Sequence, residues 1–329
     1  MENFIFSFAI SILLLSSFTL SLNSATDKYA LISFKNSITS DPDSVLSTNW
    51  SQNTSVCNWI GVSCGLKHGR VTALNLSGYN LVGTVAPHLG NITFLKYLDI
   101  SSNSFAGILP FELSKLHRLK VINVGMNSFT GEIPTWLGSL SQLEELYLYN
   151  NSFLEILALE IIASQIPPNI WKCKYLERLS LSYNNFIGNI PPEIGRLRVL
   201  TELYLGHVNG FQGGIPAEIG NLSRLEILYI DHASLTGDIP SSIFNISSLR
   251  ILSFVLNSLT GQFPSNIWKC KHLGNLGLDF NNLSGNIPPT IQNASMLREL
   301  YLAYNHFTGE LPREIGTLPM LESFIFLQI

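Results

Sequence analysis

Charge is scarce in this 329-residue chain. Lys, Arg, Asp and Glu together make up 13% of it, and their balance is −4. A nucleic-acid partner would ask for a basic stripe, and none is present. Long apolar runs are equally scarce: after the first 25 residues no second hydrophobic span follows. The H-R-D and D-F-G sets of a kinase are missing, and no motif places a nucleophile beside a base, so no enzyme, cofactor or metal centre is expected. Cysteine occurs four times, at 57, 64, 173 and 270. The chain ends without the polar closing segment that a stacked-repeat protein needs.

What the chain does have is repetition. The stretch Leu119–Gln142, LKVINVGMNSFTGEIPTWLGSLSQ, matches itself along the sequence, with units starting at Val71, Leu95, Leu119, Leu143, Leu176, Leu200, Leu225, Leu249, Leu273, Leu297 and Leu321. The interval is 24 residues, except 33 after Leu143 and 25 after Leu200, and a period in this range signals a solenoid. Within a unit, L-x-x-L-x-L puts two apolar residues on one face of a short strand, a face that only a stacked neighbour can cover. An Asn follows the strand (Asn103, Asn127, Asn151, Asn184, Asn257, Asn281, Asn305), suited to satisfying backbone groups at a buried turn. A Gly recurs from Gly83 to Gly309 where the chain is expected to bend against a Cβ, and a Pro soon after it stops the ladder. This is the leucine-rich-repeat pattern.

The G-x-I-P endings, as in Gly131-Glu132-Ile133-Pro134 and Gly237-Asp238-Ile239-Pro240, resemble the plant-specific class of this repeat. That class occurs in the extracellular domains of plant receptor-like kinases and receptor-like proteins, and in polygalacturonase-inhibiting proteins. The resemblance runs from Asp27 to the end, and receptor kinases of this kind continue with further repeats, a membrane helix and a kinase. The chain therefore reads as the N-terminal part of such a receptor. The fold expected is an α/β repeat solenoid: a right-handed leucine-rich-repeat superhelix with a parallel β-sheet on its concave face and a small helical N-terminal cap. Residues 1–25 read as a signal peptide, 26–70 as the cap, 71–320 as ten repeats with an insertion at about 154–165, and 321–329 as a truncated eleventh repeat. The first segment lacks Lys or Arg near its start, and an uncleaved anchor is the alternative to cleavage near Ala25.

In the cap, Asp27 is suited to capping a helix carrying Ala30, Leu31, Phe34 and Ile38, with Asp41-Pro42 breaking it. Cys57 and Cys64 around W-x-G-V resemble the paired cysteines of the family's cap. In an exported chain that implies a disulfide worth about 2–3 kcal/mol for so short a loop. A zinc site is the rival, poorly served by two cysteines without a nearby His pair. Cys173 and Cys270 fall in an otherwise apolar column and read as small core residues. Nine N-x-S/T sequons occur. Glycans are expected at Asn49, Asn53, Asn91, Asn221, Asn245, Asn282 and Asn293, whereas at Asn75 and Asn150 they would mask the strand face.

A solenoid binds through its strand face. There the chain offers Tyr147, Tyr149, Tyr204, Tyr229, Asp231 and His232 as the main patch, with His207, Phe280 and Tyr301 as further candidates. Tyr also simply suits strands. His207 and His232 fall in equivalent positions about 5 Å apart, where surface histidines, a pH switch or a metal pair with Asp231 are the readings. The 25-residue unit shifts its Asn by one, to Asn209, and the next unit has Ala233 in that position. The 154–165 insertion reads either as a docking loop or as a tolerated bulge. The partners implied are a peptide or protein ligand and, in a complete receptor, a co-receptor kinase. Membrane contact would come only through the N-terminal segment or a C-terminal helix beyond this sequence, and the location is extracellular or the cell surface. The function implied is a recognition module in immune or developmental signalling. The alternatives are a secreted inhibitor of cell-wall-degrading enzymes or an inactive truncated receptor product.

Overall fold

A computed structural model describes residues 25–153, 166–208 and 210–327. The expected signal segment, the 154–165 insertion and Asn209 lie outside the described residues, apart from Ala25. Two compact units divide the chain at Phe129 and Thr130.

In the first unit a helix spans 25–36. Ala30, Leu31 and Phe34 on one side of it are fully buried, with the Phe34 ring 5.7 Å from Phe105 of the repeats. Asp27 does not cap this helix but lies inside it. Its carboxylate accepts from Arg70 Nε at 2.8 Å, Arg70 Nη2 at 2.7 Å and the Val71 amide at 3.0 Å. A buried acid needs such a set, and the bidentate guanidinium supplies it, which is what claims Asp27 from the capping role. Ile38 also departs from the helical spacing. It opens a short strand, Ile38–Ser40, paired antiparallel with Val82–Gly83. Asp41 does the capping instead, serving the helix Val45–Asn49 by accepting from Val45, Leu46 and Ser47 amides at 2.8–3.0 Å. Partial burial pushes its carboxyl up, but those amides prevail and hold it below its ordinary value. Cys57 and Cys64 are disulfide-bonded with Cα atoms 5.5 Å apart, and beside them Trp50 stacks on Trp59.

The repeats of this unit form strands Val71–Asn75, Tyr97–Asp99 and Val121–Asn123, parallel and in register, with Val62–Cys64 antiparallel at the cap end. In the second unit eight strands follow in the same manner: Glu145–Tyr147, Arg178–Ser180, Glu202–Tyr204, Ile227–Tyr229, Ile251–Ser253, Asn275–Gly277, Glu299–Tyr301 and Ser323–Ile325. Each strand is short because only three residues per coil share a ladder before the chain must turn. On the far side most coils make a 3-10 turn, such as Pro192–Arg196 or Ala217–Asn221. These turns and the cap helices are the helical part of the solenoid.

The core is built from columns. In the second unit Leu146, Leu148, Leu179, Leu181, Leu203, Leu205, Leu228, Ile230, Leu252 and Phe254 are all fully buried, as are Phe153 and Phe186, and in the first unit Phe105 and Phe129 are fully buried. Cys173 and Cys270, each closing a 3-10 turn, are also buried, with burial pushing both thiols up to about 11. The post-strand asparagines lock coil to coil. Asn257 Nδ2 donates to the carbonyls of Ile230, Phe254 and Val255, while its Oδ1 accepts from the Ala233 and Leu235 amides. Asn103, Asn127, Asn184, Asn281 and Asn305 repeat the arrangement. Val208 of the 25-residue unit and Ala233 of the next are both fully buried, and Asn257 of the following coil accepts from the Ala233 amide. The recurrent glycines from Gly107 onward bend with φ between 74° and 87°. Gly83 is different: its φ is not positive, and a Cβ there would lie 2.3 Å from the Ser37 carbonyl oxygen.

Replacing Asn257 by Ala leaves the Ala233 and Leu235 amides and the Ile230 carbonyl short of partners in a buried turn, while the Phe254 and Val255 carbonyls keep Asn281 Nδ2 and the His232 amide. Stability is expected to fall by about 2–4 kcal/mol, at roughly 1–3 kcal/mol per stranded group with partial relaxation. Urea unfolding reads the loss, and hydrogen exchange should localise it to amides 230–260; a change under about 0.5 kcal/mol would remove the ladder from the structural argument.

Candidate recognition surface on the strand face

Strand register decides which side chains meet. Tyr147 pairs with Ser180, Ser180 with Tyr204, Tyr204 with Tyr229 and Tyr229 with Ser253, so the expected column exists as a physical row. Residues two before and two after each of these share the same face, because side chains alternate along a strand. The row Glu145, Arg178, Glu202 therefore lies along one side of the tyrosines, and Tyr149, Ser182, Gly206 along the other.

These rows enclose a depression of about 380 Å³ lined by Tyr147, Tyr149, Ser180, Ser182, Tyr183, Tyr204 and Tyr229, and its walls are mostly apolar. Two serines between tyrosines make the hollow: a small side chain at 180 and 182 lets the neighbouring rings form its rim. Tyr204 and Tyr229 rings lie 6.3 Å apart, tilted by 42°.

The rings are fixed by carboxylates. Tyr147 Oη donates to Glu145 Oε2 at 3.1 Å and Tyr204 Oη to Glu202 Oε2 at 3.2 Å. Arg178 bridges the two acids, with Nη1 2.5 Å from Glu145 Oε1 and Nε 3.0 Å from Glu202 Oε1. Burial first, then the adjacent Glu202, pushes the Tyr204 phenol up to about 12; burial and Glu145 raise Tyr147 likewise. The hydrogen bond to Glu202, seconded by the charge of Glu145, keeps Arg178 firmly protonated against the opposing effect of burial.

Asp231 is not an open-face residue. It is buried, accepting from Ser253 Oγ at 2.7 Å and the Val255 amide at 2.8 Å, and its burial raises its carboxyl despite these bonds. Tyr229 hydrogen-bonds to it, and burial followed by that bond raises the Tyr229 phenol. Asp231 thus supports Tyr229 from below.

A second column runs at the strand exits, where residues adopt left-handed backbone: Tyr183 (φ 56°), His207 (55°), His232 (51°), Phe280 (55°) and Tyr304 (54°). Such a conformation costs an L-residue about 1–2 kcal/mol and aims the side chain outward past the sheet. Tyr183 stacks on His207 with centroids 4.0 Å apart, and His207 lies 5.3 Å from His232. Burial, then the charge of His232, lowers the His207 pKa while Asp231 opposes. No group of three or more metal-ligating side chains occurs among the described residues. Phe280 stacks on Tyr304 at 4.2 Å, well along the sheet, and Tyr301 is separated from Tyr229 by Ser253 and Gly277. The candidates therefore divide: Tyr147, Tyr149, Tyr204 and Tyr229 meet, His207 and His232 flank them, and Phe280 and Tyr301 stand apart. Tyr183 is the member that pattern reading left out. It precedes Asn184 just as His207 precedes Val208, so its column position was the available signal.

The leucine rich repeat N-terminal domain matches residues 24–65, and the leucine rich repeat matches 94–116, 118–140, 175–197 and 296–318. The chain carries leucine-rich repeats and has the leucine-rich-repeat solenoid fold. Its similarities are to plant receptor kinases: a putative receptor-like protein kinase of Arabidopsis thaliana is 42% identical over 87 residues, 26% of this chain and 8% of that protein. Among solved structures, the ectodomain of the Arabidopsis receptor kinase HAESA in complex with an IDA peptide hormone superposes with a TM-score of 0.80 at 30% identity, covering 93% of this chain and 50% of that one. A HAESA complex that includes the co-receptor SERK1 matches at 0.64 and 28%, covering 90% and 56%. The ectodomain of GASSHO1/SCHENGEN3 from Arabidopsis thaliana, with CASPARIAN STRIP INTEGRITY FACTOR 2, gives 0.77 and 32%, covering 92% and 38%. The chain thus spans 8% of that curated relative's length and from 38% to 56% of these ectodomains. No helix of the described residues is long and apolar enough to cross a membrane.

Asp231 binds its proton more readily folded than unfolded, so ionised Asp231 is a penalty at neutral pH. That penalty is relieved as pH falls through the raised folded pKa, and it is gone only below the unfolded value of 3.8. Asp231→Asn is expected to outlast the wild type in urea at pH 7, with the gap narrowing towards pH 4. A gap that is constant over this range would contradict the burial-driven shift.

Proposed function

We propose that the chain is an extracellular recognition module of a plant receptor-like kinase or receptor-like protein, binding a peptide or protein ligand on its strand face in immune or developmental signalling. The observation that carries this reading is the tyrosine-lined depression, open to solvent on a sheet that the stacked core holds rigid. Rigid aromatic side chains offer contact area at low entropic cost, and they dominate the energy of protein recognition. The similarity to a HAESA ectodomain in complex with an IDA peptide hormone, and to a GASSHO1/SCHENGEN3 ectodomain in complex with CASPARIAN STRIP INTEGRITY FACTOR 2, supports a recognition role. In a complete receptor a co-receptor kinase would be recruited by shared contacts, and the similarity to a HAESA complex that holds both IDA and the co-receptor SERK1 supports this. The cap and repeats would form residues 26–320 of the mature protein after removal of 1–25.

The test is affinity selection of a secreted plant peptide fraction on the purified chain and on Tyr204→Ala/Tyr229→Ala. Peptides held by the wild type should bind the double variant about 10–100-fold more weakly, as expected for truncating two central aromatic anchors. Equal retention by both would place binding elsewhere.

Glycans should follow the exposed sequons that close the 3-10 turns, Asn221, Asn245 and Asn293, leaving the tyrosine face bare. Glycopeptide mass spectrometry of chain secreted from plant cells should find all three occupied; unmodified asparagines at these sites would count against export.

A further inference from the structure

The tyrosine depression has a chemical bias, and reading it rests on the strand face being the binding surface. The phenol hydrogens of Tyr147 and Tyr204 are already given to Glu145 and Glu202, and Tyr229 is hydrogen-bonded to Asp231. A phenol so engaged has no donor left for a ligand. What it presents outward is an electron-rich ring face backed by a carboxylate.

The surrounding charge is one-sided. The strand-entry residues 144–147, 177–180, 201–204, 226–229 and 250–253 hold five glutamates, Glu144, Glu145, Glu177, Glu202 and Glu226, against Arg178 and Arg250. Both arginines are committed: Arg178 to Glu145 and Glu202, Arg250 to Glu226 at 3.0 Å. No lysine falls between residues 121 and 171 or between 175 and 268. At the strand exits the cationic potential is confined to His207 and His232, and burial together with their mutual proximity opposes the charging of His207. An anionic ligand would meet net repulsion here. A neutral apolar one would fit the walls yet leave the carboxylate field unanswered.

We propose that this depression is a cation-accepting subsite, taking a lysine or arginine side chain of an extended peptide. The charged head lies over the faces of Tyr204 and Tyr229 in the field of Glu202 and Asp231. The aliphatic stem runs against Tyr147, Tyr149 and Tyr183, and the hydroxyls of Ser180 and Ser182 offer acceptors on the floor. Long basic side chains combine an apolar stem with a cationic tip, which matches mostly apolar walls with an anionic surround. Charge complementarity is thus what selects the occupant.

The test is a bead-displayed library of extended heptapeptides, screened on the purified chain. Each retained peptide is then resynthesised with arginine, lysine, citrulline, norleucine or glutamate at its anchoring position. Arginine and lysine should bind about 5–30-fold tighter than citrulline at 20 mM salt, with the advantage shrinking at 300 mM. Tyr204→Phe keeps the ring face and should keep the preference; Tyr204→Leu and Glu202→Gln should each lose most of it. Peptides that need Tyr204 but bind as well with citrulline or glutamate overturn the cationic subsite and leave the strand-face reading standing. Peptides indifferent to Tyr204→Leu, or no retained peptides at all, overturn both.

Discussion

Every coil carries on the inner side of its strand two apolar side chains that its own two dozen residues cannot cover, so the neighbouring coil must supply the other wall. Leu146 and Leu148 are shielded because Leu179 and Leu181 stand against them, and the same dependence passes along the unit. Burying those leucines also buries the turn that follows each strand, where backbone amides and carbonyls point away from both ladder and water. The asparagine side chain is long enough to reach the previous coil and carries both a donor and an acceptor, so one residue satisfies the turn and fastens it to its neighbour. Where Ala233 stands in the asparagine's place, Asn257 of the next coil also takes the Ala233 amide.

This construction is why the strand face can act as a platform. The inward residues tolerate little change, and the outward ones vary from coil to coil. Parallel in-register pairing then sets each outward side chain beside its counterpart in the next coil. Tyrosines at 147, 204 and 229, separated in sequence by tens of residues, meet around two serines. The carboxylates beside them turn three loosely tethered rings into a fixed surface, and Arg178 balances two of those charges without cancelling the negative field. In the first unit the same row reads Asn75, Asp99 and Asn123, with Asp99 holding Ser101, so that stretch of face is polar and self-satisfied.

Much of this was legible in the residues. The 24-residue period, the strand column, the pairing of rows and the closeness of His207 to His232 all follow from repetition, because a residue's place in its unit specifies its neighbour in the next. Reading failed where one coil departs from its template or where a side chain is claimed from outside its unit. Asp27 looked like a cap and instead meets Arg70, 43 residues on. Asp231 looked like a face residue and is drawn under Tyr229 by Ser253 and the Val255 amide. Tyr183 was passed over although His207, His232 and Phe280 of the same row were picked, because it stands beside Ser180 and Ser182, and only the packed coils show that these serines leave a hollow for its ring to line.

By itself the sequence determined the leucine-rich-repeat fold, the cap, the stacking direction of like residues and a tyrosine-rich row on the open side. Local period and residue type suffice for these, since each coil repeats one short-range solution. Tertiary structure alone decided which tyrosines enclose a hollow, which acids are exposed and which are buried, and where each phenol's hydrogen goes. Those outcomes turn on distances of a few ångströms between side chains of different coils, and only the packed chain sets them.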